Sequence, residues 1–255
     1  MAIGTLFLIP NTLGTEDRLE QLSWVLPAAT ITQAAELKYW IVENAKTARA
    51  FLKAIDSVSS LCTPLQELVL LEWRGAAQNA KYNSQTRPES LLQALVDGHN
   101  MGLMSEAGVP GLADPGAELI LAAHGLGASV KPLVGPSSIL LGLMASGLNG
   151  QQFAFQGYLP NQNQERLNRL KQLEAESLRL QQTQIWIETP YRNAAMYDAC
   201  LQALSAETRL CIGVDLSLAS ESIHTYTLSG WRKRFPSEKM SSGLQNRPAI
   251  FLLLA

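Results

Sequence analysis

The residues best suited to hold a small ligand form a glycine-rich loop over residues 104–116, Met-Ser-Glu-Ala-Gly-Val-Pro-Gly-Leu-Ala-Asp-Pro-Gly. Glycine permits positive φ and close approach of a ligand, and proline stiffens a turn, so the loop presents backbone N–H and C=O groups in a fixed array. An apolar strand leads into it, and open α/β sheets bind ligands at the carboxyl ends of their strands. The alternative is a tight strand-to-helix connection, although such connections usually have only about two to six residues.

A second candidate is the run Leu-Val-Gly-Pro-Ser-Ser-Ile-Leu-Leu-Gly over residues 133–142. Ser137 and Ser138 can cap the helix that follows, or they and the N–H groups at the helix start can hold a polar edge of a ligand. Both interpretations fit this segment in isolation. Because both loops leave strands of the same predicted sheet, the pair favours binding.

Alternating strands and helices must position these loops. Strands are predicted at 5–10, 68–72, 100–105 and 129–134, and helices at 15–26, 87–96, 117–124 and 137–146, with a mainly helical stretch at 34–55. Repeated strand-helix units indicate an α/β fold with a mostly parallel sheet and helices on both faces. The polar run 147–152 then breaks the pattern, and a helix at 164–181 and strands at 183–187, 209–214 and 249–254 follow. We therefore predict an N-terminal domain over 1–150 and a C-terminal domain over 151–255.

Composition excludes several classes of protein. Of the 255 residues, 47% are hydrophobic and 16% are charged, which indicates a folded globular protein rather than a disordered one. The net charge of -2 argues against a strongly basic nucleic-acid coat protein. Residues 1–150 carry 9 basic and 13 acidic side chains and residues 151–255 carry 11 and 9, so the second half is favoured for an anionic partner. No dinucleotide, ATP, zincin or serine-hydrolase motif is present in the sequence.

The cysteines and histidines do not suggest a metal site. Cys62, Cys200 and Cys211 are odd in number and far apart, so neither a disulfide framework nor a zinc site is expected. The three histidines lack metal-ligand spacing, and no apolar run approaches the roughly 20 residues that span a bilayer. We expect a cytoplasmic protein without a resident metal and without a membrane anchor.

Several segments in one order resemble the tetrapyrrole methylase family of S-adenosylmethionine-dependent methyltransferases, and most of all its bacterial branch that methylates a ribose 2'-hydroxyl of small-subunit ribosomal RNA. The resemblance extends over nearly the whole chain. Its landmarks are 6–10 with Gly14 and Asp17, then 105–116, 132–138, 145–148, 153–160, 187–192 and 247–252.

The resemblance implies two α/β domains with S-adenosylmethionine in the cleft between them, S-adenosylhomocysteine as the product, and a homodimer. It also implies ten cofactor contacts, which small hydroxyls and backbone groups suit because the ligand combines an adenine, a ribose diol and an amino acid zwitterion. These residues are Ser105, Glu106, Ala107, Ser137, Ser138, Glu188, Thr189, Ser217, Pro248 and Ala249.

The sequence departs from the ribosomal RNA branch at three places. Where that branch has an acid-acid-Thr-Arg run, this chain has Glu-Asn-Ala-Lys over 43–46, and of a His-rich segment ending in Asn only Asn83 remains. An Arg-Glu-Leu-Thr-Lys run is replaced by Val-Asp-Leu-Ser-Leu over 214–218. The segments implied to bind the cofactor persist while those implied to face the substrate change.

Three functions remain open from the sequence. The first is methyl transfer to a ribose 2'-hydroxyl of ribosomal RNA, with Glu43 as general base and Asn83 positioning the acceptor; the alternative for Glu43 is a solvated helix acid. The others are methylation of a tetrapyrrole or another small molecule, and binding of S-adenosylmethionine or RNA without turnover. For RNA in the small ribosomal subunit, a basic patch in the second domain is predicted. Its members are Arg166, Arg169, Lys171, Arg179, Arg192, Arg232, Lys233 and Arg234.

Overall fold

The computed structural model describes residues 2–14, 18–76, 87–236 and 243–255. The chain forms two compact units, Met1–Ser137 and Ser138–Ala255. This division falls before the helix Ser138–Ser146 rather than after it as predicted. The reason is packing, because a Cβ added to Gly142 of that helix would lie 3.0 Å from Ile250 Cγ2 in the second unit.

The first unit is built on a five-stranded sheet in which every pairing is parallel. Its strand order is β3-β2-β4-β1-β5. The strands are β1 (Thr5–Leu8), β2 (Tyr39–Val42), β3 (Val69–Glu72), β4 (Met101–Met104) and β5 (Ser129–Pro132). Parallel strands place all their carboxyl ends at one edge, so the loops that leave β1, β2 and β4 are neighbours.

Helices cover both faces of this sheet, as predicted. One apolar core joins α1 (Arg18–Val25), α2 (Ala28–Ala35) and α3 (Ala45–Val58) to Phe7, Trp40 and Met104. A second core on the opposite face joins α4 (Pro88–Leu91), α5 (Gln93–Val96) and α6 (Gly116–Gly125) to strand residues such as Ile41. Alternate side chains of one strand therefore enter different cores, as the period of two requires. The predicted start of the first helix, residues 15–17, lies outside the described residues.

The segment 34–55, predicted to be mainly helical, is helical at both ends but contains a strand that the prediction missed. Strand β2 lies inside it, between α2 and α3, and pairs with both β3 and β4. Its sequence, Tyr-Trp-Ile-Val, is a short apolar run, and periodicity cannot distinguish a strand buried on both faces from a segment of a buried helix. Consequently Glu43 directly follows a strand and does not lie on a helix.

The second unit is built on a mixed five-stranded sheet of order β6-β7-β10-β8-β9. Only β6 and β7 are parallel, and β10 is antiparallel to both of its neighbours. The strands are β6 (Phe153–Tyr158), β7 (Thr183–Glu188), β8 (Arg209–Val214), β9 (Ser222–Thr227) and β10 (Ala249–Leu254). The helices are α7 (Ser138–Ser146), α8 (Asn163–Leu180), α9 (Asn193–Ala203) and α10 (Leu228–Arg234).

The core of this unit lies between the sheet and the helices α8, α9 and α10. Trp186 on β7 stacks on Phe251 on β10, with ring centroids 5.7 Å apart and planes 9° from parallel. Trp231 of α10 is fully buried in the same cluster and donates its indole N–H to the carbonyl of Leu210. Among the residues described, no helix is both long and apolar enough to cross a membrane.

Candidate functional site

Asn11 joins the loop after β1 to the glycine-rich loop after β4. Its backbone N–H donates to the carbonyl of Gly108 at 2.8 Å, and its side-chain amide donates to the carbonyls of Ser105 and Glu106 at 3.2 and 2.9 Å. The Asn11 side chain is fully buried. Sequence reasoning missed this residue, although its place just past the carboxyl end of a strand was a usable signal.

Glu43 fixes the same loop from the other side. It is the first residue after β2, and its Oε1 accepts the backbone N–H of Glu106 at 3.0 Å. Partial burial raises the pKa of the Glu43 carboxyl, and the hydrogen bond from Glu106 opposes that rise. The charges of Asp114 and Glu106 raise the pKa further, whereas the charge of Arg74 lowers it. The structure thus brings two predicted site residues, Glu43 and Glu106, into direct contact.

Acidic groups dominate this edge of the sheet. Thr47 donates to Glu106 Oε1 at 2.6 Å, and Glu72 Oε1 accepts the backbone N–H of Ala45 at 2.8 Å. Arg74 counters them by donating to the carbonyl of Glu43 at 3.1 Å and pairing with Glu72 at 3.4 Å. Within the described part of the chain, no group of three or more His, Cys, Asp and Glu residues is placed to hold a metal ion.

Ser105 and Ala107 lie in the part of the glycine-rich loop that faces these neighbours. Ser105 is buried and its hydroxyl donates to the carbonyl of Ala107 at 3.2 Å, whereas Ala107 and Glu106 are exposed. Ser137 is buried in the loop after β5, where Gly135 lies so close to Pro10 that a Cβ there would sit 2.2 Å from the proline ring. Only glycine allows this approach of the two loops.

Asp114 organises the far end of the glycine-rich loop. Its carboxylate accepts the backbone N–H groups of Gly111 and Gly116, at 2.9 and 2.6 Å. A small cavity of about 10 Å³, room for about one water molecule, lies between this end of the loop and Glu43. Ser105, Trp73 and Pro115 are among the residues that line it.

The second unit gathers five of its six predicted cofactor residues at one end of its sheet. Glu188 ends β7 and pairs across the sheet with Ala249, the first residue of β10, which in turn pairs with Val214 at the end of β8. Glu188 is buried; its Oε1 accepts the backbone N–H of Thr189 at 2.7 Å, and its Oε2 forms an ion pair with Arg192 at 3.0 Å. The sixth residue, Ser138, begins α7.

Ser217 and Pro248 belong to the same end of the sheet. The backbone N–H of Asp215 donates to the carbonyl of Pro248 at 3.0 Å, and Ser217 follows two residues later. Both Asp215 and Ser217 have positive φ, at 51° and 70°. Ser217 Oγ is buried and has no hydrogen-bond partner among the residues that the structure describes.

Asn193 and Arg247 are two further residues of this region that sequence reasoning did not assign. Asn193 is fully buried at the start of α9 and donates its amide to the carbonyl of Arg247 at 2.6 Å. Its Oδ1 is buried without a partner in the described regions. Arg247 forms an ion pair with Asp215 at 2.8 Å. The predicted acceptor-positioning residue Asn83 lies outside the described residues.

The predicted basic patch is only partly available to a polyanion. Arg166 is buried and donates to Asn161 and Asn163, so its inclusion was wrong. Arg169 pairs with Glu176 at 3.2 Å, and Arg192 is committed to Glu188. The remaining members are exposed. They are Lys171, Arg179, Arg232, Lys233 and Arg234. The patch was predicted mainly from the arginine-rich helix α8, but several of these arginines pack or form ion pairs within the fold and do not face solvent freely.

Solved structures share this fold. The methyltransferase CobJ superposes with a TM-score of 0.57 at 14% sequence identity, and the match covers 99% of this chain and 94% of the CobJ chain. A uroporphyrin-III C-methyltransferase from Thermus thermophilus, solved with S-adenosylhomocysteine, gives 0.54 at 13% identity, covering 98% and 97%. The chain therefore has the tetrapyrrole methylase-like α/β fold that its sequence resemblance implied.

Sequence comparison gives a more specific similarity than the fold does. The ribosomal RNA small subunit methyltransferase I of Mesorhizobium japonicum is 34% identical over 180 residues, 69% of this chain and 60% of the relative. Its Vibrio cholerae counterpart is 30% identical over 148 residues, 58% and 50%. The matches thus span about half to three fifths of these relatives. No protein-family model matches the chain. The chain is nevertheless similar in sequence to these ribosomal RNA methyltransferases, which confirms the resemblance described from its sequence.

Proposed function

We propose that this protein is an S-adenosylmethionine-dependent methyltransferase that modifies small-subunit ribosomal RNA. The observation that carries the proposal is its sequence similarity to ribosomal RNA small subunit methyltransferase I proteins from several bacteria. The glycine-rich loop supports it, since Asn11 and Glu43 hold the loop's backbone in place from two sides. An RNA substrate also accords with the proposed cytoplasmic location, and a homodimer remains part of the proposal on the resemblance alone.

Two buried polar groups of the second unit suit S-adenosylmethionine. Buried Ser217 Oγ and Asn193 Oδ1, which have no partner in the described parts of the chain, leave hydrogen-bonding capacity of the kind an adenine or ribose would use. When bound, this cofactor supplies an activated methyl group and leaves as S-adenosylhomocysteine. The residues proposed to hold it are Ser105, Glu106, Ala107, Ser137, Ser138, Glu188, Thr189, Ser217, Pro248 and Ala249.

Glu43 is the proposed general base for a ribose 2'-hydroxyl. Its raised pKa makes its carboxylate a stronger proton acceptor than an ordinary glutamate, provided it is ionised. Oε1 is occupied by the N–H of Glu106, so Oε2 is the atom proposed to take the proton. Asn83 is proposed to position the acceptor, with the family resemblance as its support.

The first test is transfer of a labelled methyl group from S-adenosylmethionine to small ribosomal subunits isolated from cells that lack this gene. We expect label on one ribose, located by nuclease digestion and mass spectrometry. Label on the base instead would overturn the proposed 2'-hydroxyl acceptor. S-adenosylhomocysteine binding without transfer to RNA would favour small-molecule acceptors or a binding protein.

Glu43→Gln tests the proposed base. Glutamine Oε1 can still accept the N–H of Glu106, so the loop keeps its support while the base is lost. We expect the turnover rate to fall by about 10²- to 10⁴-fold with little change in S-adenosylhomocysteine affinity. Glu36→Gln, an exposed change at the end of α2, serves as the control. Unchanged turnover in Glu43→Gln would remove Glu43 from the mechanism.

A further inference from the structure

The loop that follows β8 holds a backbone conformation that its residues do not favour. Asp215 and Ser217 both have positive φ, a region that side chains other than glycine rarely adopt. Such conformations persist only where the surroundings over-determine them, and they concentrate at sites of function. The surroundings of this loop therefore indicate what the conformation serves.

Arg247 makes three hydrogen bonds that restrain this part of the chain. Its guanidinium donates from Nε to Asp215 Oδ2 at 2.8 Å, from Nη2 to the carbonyl of Ser220 at 2.8 Å, and from Nη1 to the carbonyl of Gly243 at 3.0 Å. Ser220 closes the loop on itself by donating its hydroxyl to the same Asp215 oxygen at 2.7 Å. One planar guanidinium thus ties the beginning and the end of the loop to the segment that leads into β10.

The loop presents a hydroxyl for which the described residues provide no hydrogen-bond partner. The N–H of Ser217 is fixed by Glu221 Oε2 at 2.7 Å, while its Oγ is buried and meets no partner in the described residues. A buried hydroxyl without a partner loses its bonds to water and gains nothing within the fold. A ligand that bonds to Ser217 Oγ would recover this loss.

We propose that the Arg247–Asp215 pair is a positioning device for the cofactor: it holds Ser217 at positive φ so that its hydroxyl meets S-adenosylmethionine. This inference rests on the proposed function. Neither Arg247 nor Asp215 is assigned a bond to the ligand, and both act through Ser217. Asp215 also connects this loop to Pro248, another predicted cofactor residue, because its backbone N–H donates to the carbonyl of Pro248.

The test is a double-mutant cycle on S-adenosylhomocysteine affinity, measured by calorimetry on the full chain. Arg247→Met keeps the length and apolar stem of the side chain but removes all three donors. We expect it to raise the dissociation constant by about 10- to 100-fold, the size of loss that small misplacements cause. The control is Arg209→Met, which removes another arginine of the same unit, exposed at the start of β8, and should leave affinity unchanged.

Ser217→Gly separates positioning from general structural support. Glycine adopts positive φ without a clamp, so Arg247→Met should weaken binding by less than about threefold in the Ser217→Gly background. Equal losses in both backgrounds would overturn the proposal, as would unchanged affinity in Arg247→Met. If the wild-type protein binds no S-adenosylhomocysteine, the proposed function fails and this inference fails with it; wild-type binding with an unaffected Arg247→Met variant removes only the inference.

Discussion

At the scale of single residues, Glu43 supports the glycine-rich loop and is also the proposed general base. It lies at the end of β2, accepts the N–H of Glu106, and is half-buried beside other acids. Its burial raises its pKa, which favours proton transfer but makes the ionised form costly in the folded state. A charge that is useful in a reaction is therefore expected to lower stability.

The stability of Glu43→Gln should depend on pH relative to the wild type. Because the pKa of Glu43 is raised above 4.5 on folding, the folded state binds its proton more tightly, and stability is lost as pH rises through the folded-state pKa. Glutamine does not ionise. Urea unfolding at about pH 4 and about pH 7 should show the variant gaining stability relative to wild type at the higher pH. A difference that is the same at both values would contradict this.

Ser217→Ala should lower the affinity for S-adenosylhomocysteine without lowering the stability of the fold. The Ser217 hydroxyl is buried and has no partner in the part of the chain that the structure describes, so its removal eliminates a desolvation cost and the free energy of unfolding should stay the same or rise by about 1 kcal/mol. Affinity for S-adenosylhomocysteine should fall. Denaturant unfolding and calorimetry on the same preparations check both. Ser220→Ala is the contrast, because that hydroxyl is bonded to Asp215 and its loss should be destabilising.

At the scale of elements, the close contact of β2 and β4 shapes the edge that carries the candidate site. Gly102 of β4 lies under the ring of Trp40 of β2, and a Cβ added there would be 2.6 Å from the indole. The two strands end at Val42 and Met104, directly before Glu43 and Ser105. The spacing of Glu43 from the glycine-rich loop thus depends on this pair of residues.

Gly102→Ala should destabilise the first unit. The added methyl group collides with a fully buried ring, and overpacking of this kind costs about 1–3 kcal/mol. Gly125→Ala is the matched control, since a Cβ at Gly125 in the last turn of α6 meets nothing within 4 Å and should stabilise by about 0.5–1 kcal/mol. Thermal and urea unfolding of both variants provide the comparison; equal effects would be inconsistent with the packing described.

The elements also show where sequence reasoning succeeds and where it fails. Strands and helices whose ends are marked by clear boundary residues, such as β8 and α8, are predicted from sequence to within a residue or two. Strand β2 is not, because a four-residue buried run between two helices carries no period of its own. In the candidate site, the glycine-rich loop is visible in the sequence, whereas Asn11, Asn193 and the Arg247–Asp215 pair are not, since their roles arise from contacts between distant residues.

At the scale of the whole molecule, net charge limits how the proposed RNA substrate could be bound. The net charge is -2, so long-range attraction to a polyanion is weak and contact must come from a local cluster. The exposed run Arg232, Lys233 and Arg234 at the end of α10 is the best such cluster in the second unit. The guanidinium of Arg234 also lies 4.9 Å from the centre of the Tyr226 ring.

Binding of a mixed-sequence single-stranded RNA should therefore depend only moderately on salt. Three phosphate contacts predict a slope of about -2 for log affinity against log salt concentration. Changing Arg232, Lys233 and Arg234 to glutamine should bring the slope close to zero. Changing Lys171 and Arg179 on α8 to glutamine should leave it unaltered. Fluorescence titration at several salt concentrations measures both, and a slope that moves only with the α8 variant would reassign the contact.

The position of β10 within the second sheet bears on how the protein is made. Strand β10 lies between β7 and β8, yet it is the last of the three to be synthesised. The first sheet draws all its strands from residues 5–132 and can assemble while translation continues, since N-terminal domains generally fold first. Until residues 249–254 emerge, β7 and β8 have unpaired edges, which are templates for aggregation. Truncation before β10 should leave the nascent second unit dependent on chaperones.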